Sequence, residues 1–184
     1  MTDAPAPARR GTARERLLVA AGELFYSEGI NTSGVEAIAA RAGVTKATLY
    51  NNFRSKDQLV AEYLRGRLES SRRNRARFDD PAQAPAGRVA AFFEEVEHAI
   101  ANGTFHGCPY SKAAVEVPGN AEAMVVVQEH YADVIAHFTD VTGDRTTAET
   151  IAMIYDGGML AAKASGTAEP MARAKAAALR LIAS

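Results

Sequence analysis

Apolar residues return along this chain every three or four positions, and no run alternates long enough to predict a strand. Leu17, Leu18, Ala21, Leu24 and Phe25 form one stripe, which predicts a helix that stops at Gly29. Val35, Ile38, Ala39 and Ala42 predict a second, from about Gly34 to Ala42. Ser33-Gly34-Val35-Glu36 reads as its capping box, in which the Ser33 hydroxyl accepts from the Glu36 N–H and the Glu36 side chain reaches back. Gly43 suits the C′ position, where a positive φ favours glycine. Thr45 follows as the N-cap of a short helix from about Lys46 to Asn51. Leu49 is its core residue, and Phe53 is a second anchor. Ser55-Lys56-Asp57-Gln58 is another capping box and opens a long helix to about Arg77.

Between Asp79 and Gly87 the sequence turns to Asp-Asp-Pro-Ala-Gln-Ala-Pro-Ala-Gly, a linker composition. Beyond it the period stays helical. Val89, Phe92, Phe93, Val96 and Ile100 make one stripe; Met124, Val127, Tyr131, Val134, Ile135 and Phe138 a second; Ile151, Ile154, Tyr155, Gly158, Met159 and Ala162 a third. An Ala-rich helix from about Glu169 to Ala183 closes the chain, with Pro170 in its first turn. The least regular stretch, Gly103 to Gly119, predicts only a short helix near 111–117. The expected fold is all-α. Residues 1–12 are a flexible basic arm, 13–78 an N-terminal helical domain with its connecting helix, and 79–184 a C-terminal helical domain.

Charge divides the same way. Residues 1–78 hold 14 lysines and arginines against 8 acidic residues, and residues 79–184 hold 7 against 14. A basic first part beside an acidic remainder suggests that the first part meets a polyanion. The single cysteine, Cys108, excludes an intrachain disulfide and suits a reducing compartment. No secretory h-region and no spanning apolar run is visible, so the expected location is the cytoplasm.

Residues 34–53 read as helix, tight turn, short helix. In a helix-turn-helix the second helix lies in the major groove and the first crosses the backbone. A small residue at the crossing (Ala39), a turn glycine (Gly43) and apolar residues behind (Val44, Leu49) meet that geometry. Thr45, Lys46, Thr48 and Asn51 then face outward, where such side chains donate to phosphates or reach base edges and glutamate would be repelled. The Tyr50 hydroxyl either bonds a phosphate or packs inward. The first turn after Ser55 offers free N–H groups and the Lys56 ammonium to a phosphate. The competing description is a plain helical hairpin with incidental polar residues.

Residues 14–60, "RERLLVAAGELFYSEGINTSGVEAIAARAGVTKATLYNNFRSKDQLV", resemble the N-terminal domain of TetR/AcrR-type repressors. The shared marks are an early apolar helix ending Leu-Phe…Gly, then Ile-Ala…Ala-Gly-Val, then Thr-Leu-Tyr…Phe and Ser-Lys. The resemblance implies an all-helical homodimer that binds operator DNA through its N-terminal domain and an inducer through its C-terminal one. It places Thr45, Lys46, Thr48, Tyr50, Asn51 and Lys56 at positions that touch DNA, and Ser33 at a cap position that meets phosphate. It implies no base preference, because Ala47 stands where glycine is common and Asn51-Asn52 replaces an aromatic-and-His pair. "FHGCPYSKAAVEVPG" with the later "YDGGMLAAKA" is similar to the LmrA/YxaF-like subgroup.

In the C-terminal half, Phe92, Phe93, Val96, Cys108, Tyr110, Tyr131, Ile135, Tyr155 and Met159 are the expected lining of a mostly apolar, medium-sized inducer; the alternative is that they are simply core. Cys108 beside His106 is either a sensor thiol or an inert buried one. His98, His106, His130 and His137 show no paired metal-ligand spacing, so neither metal nor cofactor is expected. No phosphate-cradling loop is present, and nothing fixes Cys108, His106 and Asp133 as a nucleophile, base and orienter, so an enzyme is not expected. The rival regulator is a constitutive DNA-binding protein whose C-terminal half only dimerises. Gly157, Gly158, Ala161, Ala162, Ala176 and Ala177 would let the last two helices approach a second copy closely.

Overall fold

The computed structural model of the chain describes residues 11–183, so the expected basic arm lies almost wholly outside the described residues. The described residues form helices joined by short turns, with no strand among them. In order they are α1 (Ala13–Ser27), α2 (Val35–Arg41), α3 (Lys46–Asn52), α4 (Lys56–Phe78), α5 (Pro85–Ala101), α6 (Pro109–Glu116), α7 (Ala121–Thr142), α8 (Arg145–Ser165) and α9 (Glu169–Ile182). None is long and apolar enough to cross a membrane.

The helices gather into two compact units. The first runs to Arg67 and takes in Pro109–Val127; the second comprises Leu68–Cys108 and 128–184. The linker composition at 79–87 is therefore a turn inside the second unit, and α6 with the start of α7 belongs to the first. Arg88 explains why that turn is fixed. Its guanidinium donates twice to Asp79, at 2.6 and 2.9 Å, and once to Asp140 at 2.9 Å.

In the first unit, Leu17, Phe25, Ile30, Ile38, Leu49, Phe53, Leu59 and Leu64 are wholly buried. Phe25 meets the Tyr63 ring edge-on at 5.5 Å. Thr12 forms a capping box with Glu15 at the start of α1. Helix α6 grips the turn between α1 and α2. Lys112 Nζ donates to the Tyr26 carbonyl at 2.7 Å, and the Asn31 N–H donates to the Glu116 carboxylate at 2.8 Å. The Asn31 amide donates to the Glu116 carbonyl, and the Asn120 amide to the Asp57 carbonyl.

In the second unit, α5, α7, α8 and α9 enclose one apolar core, including Val89, Phe93, Phe138, Ile151 and Met171. Gly158 sets the approach of α8 to α9: a Cβ there would sit 2.7 Å from the Ala174 Cβ and 2.9 Å from the Met171 Sδ. Part of the small-residue stripe is thus consumed within one chain. Gly158 and Ala162 are buried, whereas Gly157, Ala161 and Ala176 remain exposed.

Candidate functional site

Helix α2 ends in a Schellman turn. The Val44 N–H donates to the Ala39 carbonyl at 3.0 Å and the Gly43 N–H to the Ala40 carbonyl at 3.1 Å, with Gly43 at φ 64°. Two residues on, Thr45 is extended and its hydroxyl accepts from the Thr48 N–H at 3.1 Å, as the sequence predicts. Leu49 and Phe53 are wholly buried and hold α3 by one side. The opposite side presents Lys46, Ala47, Tyr50 and Asn51 to solvent, with Thr45 exposed at the leading end and Thr48 half-buried at the margin. Tyr50 is 45% exposed, which decides its orientation: the ring lies outside the core. Lys46 Nζ lies 2.5 Å from the Glu36 carboxylate of α2, an ion pair open to solvent on both sides. The hydrogen bond raises the lysine's pKa and lowers the carboxyl's.

Two side chains sit differently from the expectation. Ser33 does not cap α2. Gly34 is the N-cap, without a side-chain bond, and the Ser33 hydroxyl donates instead to the Gly29 carbonyl at 2.6 Å. Ser33 is 1% exposed, so it presents nothing to a phosphate. Lys56 also turns inward. Its ammonium donates to the Ile30 carbonyl at 2.6 Å and lies 6.0 Å from the Phe25 ring centroid. Burial holds its pKa below the usual lysine range. The second capping box does form in outline. The Ser55 hydroxyl accepts from the Gln58 N–H, but the Gln58 side chain reaches back to the Arg54 N–H rather than that of Ser55.

Thr45→Val should cost the fold about 1 kcal/mol, because a near-isosteric side chain removes the acceptor for the Thr48 N–H. Urea denaturation of Thr45→Val and Thr45→Ser checks this: the serine variant should keep most of the stability. Equal stability in all three proteins would show that the cap contributes nothing.

The second unit contains a cavity of about 130 Å³. Leu68, Phe92, Val134 and Tyr155 form its buried floor. Arg75, Phe78 and His130 stand half-buried above them, and Ser71, Asn74 and Glu95 form an exposed rim. Of the expected lining only Phe92 and Tyr155 face this space. Phe93, Val96, Ile135 and Met159 pack in the surrounding core, and Cys108 packs against it. Tyr131 hydrogen-bonds Asp156, whose carboxyl burial pushes up to about 6. Tyr110 is buried within the first unit. At about 130 Å³ the cavity is smaller than the pockets that drug-sized ligands occupy.

The family model described as bacterial regulatory proteins, tetR family, matches residues 17–63, from α1 into the first half of α4. Across nearly the whole chain, the crystal structure of a TetR transcriptional regulator from Streptomyces avermitilis is similar, with 30% identity and a TM-score of 0.77. The match covers 91% of this chain and 98% of that one. This chain belongs to the TetR family. Curated relatives of this TetR-family chain include the transcriptional activator FasR of Mycolicibacterium smegmatis, 36% identical over 93 residues, 48% of this chain and 42% of that protein. Another is the transcriptional repressor KstR2 of the same organism, 33% identical over 96 residues, 50% and 47% respectively. The chain thus spans about half the length of the curated relatives it matches.

Within this TetR-family chain, sequence reasoning missed the part of α4 that walls the cavity. A signal was present: Leu68, Ser71, Arg75 and Phe78 share one helical face. It is masked by Arg65, Arg67, Arg72, Arg73 and Arg77, which make the helix read as solvated throughout.

Proposed function

We propose that the protein is a homodimeric DNA-binding transcriptional regulator, a repressor released from its operator by a small molecule. The observation that carries the reading is α3, a short capped helix anchored by Leu49 and Phe53 that turns Lys46, Tyr50 and Asn51 outward with Thr45 at its leading end. Those groups donate to phosphates and base edges in a major groove, and Ala47 leaves room for close approach. Thr45, Lys46, Thr48, Tyr50 and Asn51 are the proposed contacts. Dimerisation through α8 and α9 is supported by the apolar strip Met153, Gly157, Leu160 and Ala161. Met153 is 67% and Leu160 73% exposed. A dimer presents two recognition helices, so the operator is a near-palindrome with half-site centres one turn apart or a multiple of it, about 34–36 Å per turn. The cavity supports ligand control over constitutive binding.

Selection from random duplexes followed by footprinting tests the reading, and asymmetric sites alone would defeat it. On the selected duplex, Asn51→Ala should change base preference at one position per half-site. Lys46→Ala should weaken binding to every sequence and lower the salt slope by about one per protomer. Glu36→Gln should tighten binding, since it frees Lys46 and removes a negative charge beside the phosphates. An unchanged salt slope in Lys46→Ala would remove Lys46 from the interface.

A further inference from the structure

We propose that the cavity of the second unit takes a small aryl carboxylate, its ring among Phe78, Phe92 and Tyr155 and its carboxylate on Arg75. The proposal deepens the ligand-controlled reading above and rests on it. Arg75 carries the argument. Its side chain is 17% exposed, and it donates to the Asp133 carbonyl at 3.1 Å. The Asp133 carboxylate, which would neutralise it, is held by Arg72 through bonds of 2.5 and 3.1 Å. Arg75 stands 3.7 Å from that carboxylate, beyond hydrogen-bonding range. Asp133 is thus shared between Arg72 and Arg75, and Asp79 also feels the Arg75 charge, but the Arg75 guanidinium has five donors in a planar fork suited to a carboxylate, of which the Asp133 carbonyl takes one.

The neighbours decide where an anion can sit. His130 is held neutral, with its pKa pushed down to about 4 by burial and then by Arg75, so it adds a hydrogen-bonding group without a competing charge. Glu95 is the acidic residue of the lining; it sits on the exposed rim, and its charge, with that of Asp156, bears on the Tyr155 hydroxyl, so a guest carboxylate belongs at Arg75 and its ring at Tyr155. The remaining chemistry is aromatic. Phe92 meets Phe78 edge-on at 6.2 Å and Tyr155 edge-on at 4.9 Å, leaving ring faces and edges for a planar guest. Size restricts the guest further. About 130 Å³ is slightly less than the roughly 150 Å³ of an apolar cavity that holds benzene, so one ring fills the interior and its substituent stands toward the exposed rim.

The test uses the full chain and four probes of one shape: benzoate, benzamide, benzyl alcohol and benzylamine. Calorimetry should show benzoate binding at least tenfold more tightly than either neutral probe, with benzylamine weakest. Arg75→Gln should remove that preference, lowering benzoate affinity tenfold or more while leaving benzamide within about twofold. Arg75→Lys should fall between them, since it keeps the charge but loses the fork. Benzylamine binding as well as benzoate, a preference that survives Arg75→Gln, or no binding of any probe would overturn the proposal. The wild-type series decides even if Arg75→Gln fails to fold. Release of the selected operator duplex is measured with the same probes. Benzoate that binds without releasing the duplex keeps the ligand class and sinks the induction reading. Neutral rings that bind better and release it do the reverse.

Discussion

Gly158→Leu should destabilise the second unit by about 3 kcal/mol or more, the upper end of what overpacking a filled core costs. Even one methyl at this position meets the Ala174 Cβ at 2.7 Å and the Met171 Sδ at 2.9 Å, and Met171 is itself fully buried. The Ala174 Cβ cannot give way without moving α9 off α8. Gly157→Leu is the matched control. A Cβ there has nothing within 4 Å, and leucine is the better helix former by several tenths of a kcal/mol. The Gly157 variant should therefore fold at least as well as the parent and, if α8 forms the proposed seam, sediment as a monomer. Thermal denaturation separates the two variants. Equal stability would mean that α8 and α9 can slide apart at little cost, and a Gly157→Leu dimer would move the seam elsewhere.

Acidification from pH 7 to 5 should weaken the fold by about 2 kcal/mol through His137 alone, at roughly 1.4 kcal/mol per unit of pKa shift. This histidine is 8% exposed, stacks on Phe92 at 5.0 Å, and its buried Nε2 has no hydrogen-bond partner among the described residues. Burial is the largest cause of its depressed pKa, about 4 against an ordinary 6.5. Asp79 and Asp140 oppose the shift, and Arg75 and Arg88 add to it. Between those two values the unfolded chain binds a proton that the folded chain refuses, so stability falls as pH drops through the window. His130 acts with the same sign. Asp79 acts lower still. The hydrogen bonds from Arg88 hold its carboxyl below the usual range, so its contribution is complete above the ordinary carboxylate pKa and is lost as pH falls below it. Urea titrations at several pH values check this, with His137→Gln as the decisive variant. It should flatten the dependence between pH 6.5 and 5 by up to about 1.4 kcal/mol per unit. An unchanged slope would assign the loss to other groups.

The α3 surface was legible in the sequence because everything that forms it is local. Thr45, Gly43 and Leu49 act within a few residues of one another, through caps and a 3.6-residue period. Ser33 misled for a local reason as well: its hydroxyl had a choice between the Glu36 N–H ahead and the Gly29 carbonyl behind, and short side chains of this kind take either. Lys56 and Arg75 were not legible. What decides them is the Ile30 carbonyl 26 residues away and the Asp133 carbonyl 58 residues away, and no periodicity encodes such meetings. The cavity was half visible for the same reason. Its aromatic floor, Phe92 and Tyr155, stands out by residue type, whereas its α4 wall is hidden among arginines.

The grip of α6 on the α1–α2 turn has a consequence for how this protein can be divided. The unit that carries α3 is not one stretch of chain; its second piece arrives some 40 residues after the first has ended. A fragment stopping at Phe78 would include every proposed DNA contact but would lack Lys112, Glu116 and Asn120. The Tyr26 carbonyl and the Asn31 N–H would lose the side-chain partners they now have, and the Asp57 carbonyl its bond from Asn120. The unit proposed to read DNA is therefore not a single transplantable stretch of chain. Grafting its specificity onto another regulator means exchanging the outward residues of α3 within an intact chain.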